Sequence, residues 1–418
     1  MSSPFLPADI LLPRSADMNK WACVACDQYT SEPGYWAAAD AHVGDAPSAL
    51  RVVLPELYLN AADVAAREEA VLARMGEYLS GELFDVVENS FIFVERTLRS
   101  GALRRGLVGM LDLEAYNYGA DVKPAVRATE GTVLSRIPPR LRIRSRASLE
   151  LPHVMLLIDD PEDTVLSAAE SHAGETIYDF PLMQDSGSIR GRRVCGDAAA
   201  SVIAAIDAFG DPDAFAARYG IAGEPVLHIA VGDGNHSLAT AKAHYENLKA
   251  ELGEAALDHP ARYALCELVN LHDASLEFEP IHRIITDTDP AALLAAFEAA
   301  CGARRGTSAG QNLEAVINGE RIAYTVENPA EPLCVGTLQK FLDEYLDGSS
   351  AEIDYIHGDD VVLDLSRAEN SIGFLLPAMG KEELFPAVVR GGALPRKTFS
   401  MGEAADKRFY VEARRIVR

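Results

Sequence analysis

An apolar run from Val226 to Val231 is broken by Gly232-Asp233-Gly234. Leu238, Ala241, Tyr245, Leu248 and Leu252 follow at spacings of three and four. No other stretch constrains the chain as much. The run has the length and composition of a strand, and the spacing after it places the apolar side chains on one helix face. A strand, a glycine turn and a helix in succession aim the unpaired N–H groups of a helix start, and the positive end of its dipole, at one spot. Such a spot suits phosphate. Asp233, Asn235, His236 and Ser237 surround it with an acid, an amide, an imidazole and a hydroxyl. The same residues also make an ordinary exit from a strand, because glycine takes positive φ cheaply and Asp and Asn cap helices. The turn is neither a Walker loop nor a G-x-G-x-x-G fingerprint.

At 418 residues the chain is long enough for two or three domains, and 48% apolar with 24% charged residues suits a well-cored globular protein. It is an acidic protein: 63 Asp and Glu against 38 Lys and Arg give a net charge of −25. That balance argues against a nucleic-acid partner, which needs a basic footprint. No 18-residue apolar run appears, so no membrane span is expected. Ile10-Leu11-Leu12-Pro13 is too short for the core of a signal peptide. Six scattered cysteines form no disulfide framework, which makes a reduced, cytoplasmic protein the expectation. Cys23-x-x-Cys26 lacks the second ligand pair of a zinc site, so zinc is not expected and buried small hydrophobes are.

The first sixty residues read as loop-rich, with Asp27, Gln28 and Tyr29 in a segment bracketed by Trp21 and Trp36. This segment is either a functional loop or a packed cover. Asn60 can cap a helix over 61–80, and strands are expected at 91–96, 107–113 and 154–158. Arg140, Arg142, Arg144 and Arg146 alternate after Arg136, which on a strand would put four guanidinium groups on one face. That face is either an anion clamp or a solvated surface paired with acids. Residues 177–193, with Gln184, Asp185 and three arginines, read as a loop contacting a polar ligand or as a surface connection. Helices are expected near 197–208 and 211–219, and strands at 263–271 and 276–285. His282 beside Arg283 is either functional or simply hydrogen-bonded. Beyond Pro290, helices at 290–301 and 337–346 alternate with strands at 322–327, 360–365 and 371–376. Lys397 and Thr398 are candidates to reach back into a site. Three portions are therefore expected. Residues 1–150 carry the Asp27 loop and the arginine strip, 151–288 form a central core with the glycine turn, and 289–418 form a smaller α+β unit.

Several motifs carry a resemblance. They are Ala25 to Pro33, Leu151-Pro152-His153, Tyr178 to Leu182, Gly232 to Ser237, His282-Arg283, Asp354 to Gly358 and Pro395 to Thr398. With these the chain resembles the bacterial family called domain of unknown function 1015. Many of its members carry Asp-Gly-His-His-Arg at the central turn. That turn resembles the phosphate-binding turn of the ParB/sulfiredoxin-like fold, which includes a CTP-binding partition protein, sulfiredoxin and an ADP-dependent kinase of free serine. The resemblance implies a mixed α/β (α+β) fold, with a ParB/sulfiredoxin-like core and N- and C-terminal additions. Here Asn235 stands where His is common and Ser237 where Arg is expected. The lost bidentate contact has to come from Arg283 or from an arginine of the strip.

The reading that follows is nucleotide-dependent phosphoryl transfer, from ADP or ATP with Mg²⁺, to a small polar metabolite such as an amino acid. The expected catalytic residues are Asp27, Asp233 and His236, with Asp233 as metal ligand or base. Gly232, Gly234, Asn235, Ser237 and Arg283 would hold the nucleotide. Gln28, Tyr29, Gln184 and Lys397 would face the substrate. Two other classes stand beside it. One is a non-catalytic nucleotide-binding switch; the other is a metal-dependent hydrolase using Asp27, Asp233 and His236.

Overall fold

A computed structural model describes residues 3–119 and 122–418. The fold is mixed α/β, and contacts within the chain divide it into two compact units. The first comprises Met1–Ala128, Thr132–Leu276 and Glu403–Arg418; the second comprises Thr129–Gly131 and Glu277–Gly402.

The first unit is built on an 11-stranded mixed sheet. Its main path runs Thr176–Pro181, Ser188–Cys195, Phe84–Thr97, Leu103–Asp112, Tyr263–Asn270, Val154–Ile158, Ile229–Asp233, Val126–Ala128 and Tyr116–Asn117. Phe5–Leu6 and Ala8–Pro13 add to Leu103–Asp112 and Phe84–Thr97. Val154–Ile158 runs parallel to Tyr263–Asn270 and antiparallel to Ile229–Asp233. Alternation along the strands loads both faces, as the period of two requires. Phe91 and Phe93 point into one core, Ile92 and Val94 into the other. The first core is covered by the helices Thr164–His172, Asp197–Asp207 and Asn235–Leu252, through Val165, Ile206, Leu238, Ala241 and Tyr245. The second is covered by the N-terminal segment with Trp21 and Trp36, by the helix Val64–Ser80, and by the chain's last residues with Phe409, Val411 and Ile416.

Three expected elements come out differently. Residues 136–146 are not a strand, because Ile137–Arg144 is a helix. Pro138 and Pro139 lack N–H groups, which costs nothing in a helix's first turn. On a helix, residues two apart point about 200° from one another. The arginines therefore diverge, Arg140 to Glu56, Arg142 to Glu68, Arg144 to Glu150 and Arg146 to Glu69. No arginine clamp forms from these four. Residues 177–193 are not a loop but a hairpin of Thr176–Pro181 and Ser188–Cys195, with Gln184 and Asp185 at positive φ in its turn. Asp359–Leu365 is a helix rather than a strand, with Asp359 and Asp360 in its first turn, where acids suit the dipole.

The second unit carries a six-stranded antiparallel sheet in the order Ala303–Arg305, Glu320–Val326, Gln311–Ile317, Ile372–Leu375, His282–Thr286 and Glu352–Ile356. The helices Pro290–Cys301 and Cys334–Leu346 also belong to it. Phe297, Phe341 and Phe374 pack together there, with ring centroids 5.3 and 5.9 Å from Phe297. No helix among the described residues is long and apolar enough to cross a membrane.

Candidate functional site

The strand Ile229–Asp233 ends in a bulge. Val231 faces Leu156 and Asp233 faces Met155, so Gly232 is the extra residue that re-aims Asp233. Gly234 follows at φ +81°. A Cβ there would lie 3.0 Å from the backbone Cα of Val154 and 3.0 Å from Cδ2 of His153, so the turn is pressed directly onto His153. The helix Asn235–Leu252 then begins with no side-chain cap, and its first internal bond runs from Leu238 N–H to the Gly234 carbonyl. The N–H groups of Asn235, His236 and Ser237 precede that bond. Two buried polar atoms at or beside this turn have no hydrogen-bond partner, Asn235 Oδ1 and Thr132 Oγ1. These orphaned groups and unpaired N–H donors suit a polar ligand, and the donors suit an anion.

Around the turn the fold assembles charges from distant parts of the chain. Asp27 follows the short strand Cys23–Val24, which pairs with Phe409–Tyr410. Its loop is pinned by Glu56 N–H donating to the Cys26 carbonyl at 2.8 Å. His153 Nε2 lies 3.2 Å from Asp27 Oδ2, and its Nδ1 lies 2.5 Å from the Tyr410 hydroxyl. That hydroxyl also accepts the Cys26 N–H at 3.1 Å. Gln28 Nε2 donates to Asp27 Oδ1 at 2.9 Å. Burial pushes the Asp27 carboxyl up. The charge and hydrogen bond of His153, the bond from Gln28 and the charge of Lys407 outweigh it and hold Asp27 well below the usual carboxylate range. Burial pulls His153 down, but the charge and hydrogen bond of Asp27 and the neighbouring Cys26 raise it well above its ordinary value. The pair is therefore carboxylate and imidazolium.

Asp233 Oδ1 accepts its neighbour Gly234's N–H at 2.9 Å, and its Oδ2 lies 3.3 Å from Lys407 Nζ. His236 Nε2 accepts the Val133 N–H at 3.2 Å, which leaves the ring proton on Nδ1. Burial, with the charges of Arg136 and Arg140, takes His236 down to about 4, so the ring is neutral near pH 7. The Asp27 charge is felt at His236 as well. Asp27, Gln28, Asp233, Gly234, Asn235 and His236 thus belong to one neighbourhood, with Ser237 in the first turn of its helix.

The other expected residues have different surroundings. Tyr29, at φ +52°, stacks on Tyr35 at 3.7 Å between ring centroids. The Gln184 carbonyl accepts from Arg99 Nη2 at 3.1 Å in the hairpin turn. Arg283 and Lys397 belong to the second unit. Arg283 is fully buried and donates to Gln339 and to the carbonyls of Ile281 and Arg396, so its guanidinium is committed to that unit's interior. Its neighbour His282 is held between the Leu376 N–H at 3.1 Å and Asp359 at 3.0 Å. Lys397 is exposed.

Sequence reasoning missed His153, Lys407 and Tyr410 as site residues. His153 carried a signal in the Leu151-Pro152-His153 motif; Lys407 and Tyr410 carried none.

A family model described as a protein of unknown function, DUF1015, matches residues 7–345. The chain belongs to the DUF1015 family. Lys407 and Tyr410 of this DUF1015 protein lie beyond the matched residues. A search of curated proteins finds no match. Among solved structures the chain is similar to a free serine kinase variant in complex with AMP, at 12% identity and a TM-score of 0.39 over 72% of this chain and 90% of that one. It is also similar to a conserved hypothetical protein from Pyrococcus furiosus, at 12% identity and a TM-score of 0.36 over 70% and 90%. A C-terminally truncated SbnI from Staphylococcus aureus is 7% identical, with a TM-score of 0.38 over 71% and 82%.

Proposed function

We propose that this DUF1015 protein binds a nucleoside di- or triphosphate at the turn Gly232 to Ser237 and transfers a phosphoryl group to a small polar metabolite carrying a hydroxyl. One observation carries the reading: the Asp27 carboxyl lies 3.2 Å from the ring of His153, against which the phosphate-type turn is packed. Phosphoryl transfer asks for positioning and charge neutralisation more than covalent chemistry. The unpaired N–H groups of the helix start would receive phosphate oxygens, and the Nδ1–H of His236 adds a neutral donor. Asp27 would orient the acceptor hydroxyl and take its proton as the new P–O bond forms, with His153 and Gln28 fixing the carboxylate. Gln28 and Tyr29 border the same loop and are the residues best placed to meet the metabolite. Mg²⁺ would come with the nucleotide, neutralising phosphate charge, and Asp233 is the carboxylate beside the turn that can hold it.

A hydrolase built on Asp27, Asp233 and His236 finds less support. Among the described residues no group of three or more His, Cys, Asp or Glu is arranged to hold a metal ion. A nucleotide switch and a phosphotransferase differ in turnover.

The test is a thermal-shift screen of ADP, ATP and other nucleotides with and without Mg²⁺, followed by nucleotide consumption against a panel of hydroxyl amino acids and related metabolites. Ligand at about 100 times its dissociation constant adds roughly 2.7 kcal/mol. For a chain of this size that is a shift on the order of a few degrees. No shift with any nucleotide sinks the proposal. A shift without turnover on any acceptor reduces it to a binding module.

A further inference from the structure

The turn offers Ser237 and no cation of its own between Gly232 and Ser237, yet a polyphosphate site needs a cation. The arginine strip does not obviously provide one. Arg140, Arg142, Arg144 and Arg146 are each paired with a glutamate of the same unit. Arg283 spends its donors inside the second unit. The charges of Arg136 and Arg140 are felt at His236, but Arg140 is paired with Glu56 and Arg136 is exposed, so neither is a desolvated cation set against the turn.

Lys407 differs from all of these. It arrives from the chain's last segment, its side chain is only 12% exposed, and its ammonium lies 3.3 Å from the carboxylate of Asp233 in the turn itself. Its charge also reaches Asp27. The segment is firmly held. Arg408, the next residue, is buried between Glu267 and Glu412, and its carbonyl accepts the Ala25 N–H at 2.9 Å. Two positions on, Tyr410 is hydrogen-bonded to His153. A nearly buried ammonium beside residues held this way costs desolvation and side-chain entropy, and a simple partly exposed ion pair returns little of that.

We propose that Lys407 is the phosphate-binding cation of this site, held in waiting by Asp233. The inference rests on the phosphate reading of the turn and adds its missing charge. In the free protein, Asp233 and Lys407 neutralise one another. When a nucleoside di- or triphosphate arrives, the ammonium exchanges the carboxylate for phosphate oxygens. The carboxylate so released becomes free to face a phosphate-bound divalent cation. The exchange explains how a turn with an acid at its centre accepts a polyanion: the acid's partner is the anion's receptor. It also explains why Ser237 suffices, since the cation comes from across the sheet rather than from the helix. Lysine serves as a compact point charge where arginine would supply a planar fork.

Titration calorimetry with ADP, and with adenosine as a phosphate-free probe, tests the exchange. Lys407→Met should weaken ADP by about 10- to 100-fold, the range for losing one charge-assisted contact, and leave adenosine unchanged. Lys407→Arg should restore ADP binding to within about threefold of wild type. Asp233→Asn should tighten ADP binding in EDTA, because the competitor for Lys407 is gone, and should remove the gain that Mg²⁺ gives. The double variant Lys407→Met/Asp233→Asn removes both charges together; it covers the case in which an unpaired Asp233 destabilises the single variant, and it should still bind ADP weakly. Wild-type binding of ADP that survives unchanged in Lys407→Met, or in the double variant, overturns the role of Lys407 and leaves the turn intact as a site. A wild type that binds neither ADP nor ATP overturns the phosphate reading and this inference with it.

Discussion

His153 and Asp27 form an ion pair, Nε2 to Oδ2 at 3.2 Å, that ties the start of the strand Val154–Ile158 to a loop more than a hundred residues earlier in the chain. The sequence left the Asp27 segment open between a functional loop and a packed cover, and the pair gives Asp27 a structural partner as well. Asp27→Asn should abolish phosphoryl transfer and also lower stability, by on the order of 2 kcal/mol. That is less than the 3–5 typical of a fully buried pair, because the Asp27 side chain remains 24% exposed. Denaturant melts beside activity measurements check both outcomes. Unchanged activity would remove Asp27 from the chemistry.

Gly234 allows two things at once, a left-handed backbone and contact with His153. Gly234→Ala should cost about 1–3 kcal/mol, from the strained φ and from a Cβ 3.0 Å from the Val154 backbone. It should also remove nucleotide-dependent thermal shifts. A variant as stable as wild type that still responds to nucleotide would show that the close approach is dispensable.

Stability should depend on pH in two opposed ways. His153 is raised above its unfolded value of about 6.5, so its contribution is complete below that pH and fades as pH climbs through the folded value. Asp27 is lowered below its unfolded value of about 3.8, so its contribution is complete above that pH and is lost as pH falls further. The pair therefore helps most between about 4 and 6.5. His236 acts against it in that window. Held down at about 4, it resists protonation in the folded protein and costs stability as pH drops from about 6.5 to 4. Urea midpoints from pH 4 to 8 should fall less steeply on the acid side in His236→Gln. Parallel curves for the two proteins would contradict the neutral assignment of His236.

Thiol reactivity should follow burial. Cys195 is exposed, whereas Cys23 and Cys266 are buried and desolvation pushes both thiols well above their usual value. Ellman's reagent should label Cys195 rapidly, and Cys23 and Cys266 only after denaturation. Elemental analysis should find no stoichiometric zinc. About one zinc per chain, lost in Cys23→Ser, would establish a metal role for that cysteine.

Truncation before Glu403 should prevent the first unit from folding. The removed segment carries Tyr410, the partner strand of Cys23–Val24, and the Val411 carbonyl that accepts Trp21 Nε1–H at 2.7 Å. It also carries Arg408 and Arg414, whose loss leaves Glu267 and Glu150 without these buried partners. Glu150 keeps Arg144, but Glu267 loses its ion-pair partner, and breaking one such buried pair alone costs about 3–5 kcal/mol. A soluble, cooperatively melting truncated protein would show that the segment is an accessory.

What the sequence determined is local. Apolar periodicity located a strand and a helix on either side of Gly234, because their periods are written in consecutive residues, although the strand is Ile229–Asp233 and not the whole apolar run 226–231. Glycine at 234 marked the turn, because a left-handed backbone selects that residue. The alternating arginines misled for the same reason: a period of two suggests a strand, yet Pro138 and Pro139 favoured a helix start and scattered glutamates drew each arginine its own way. Only the tertiary structure decided the rest of the site. Sheet order sets the strand after His153 beside the one that ends at Asp233, and the chain's last segment joins them through the pairing of Phe409–Tyr410 with Cys23–Val24 and the ion pair of Lys407 with Asp233, which leave no pattern in the chain. The commitment of Arg283 to its own unit is likewise set by what packs around it, by Gln339 and two carbonyls that no spacing in the sequence announces.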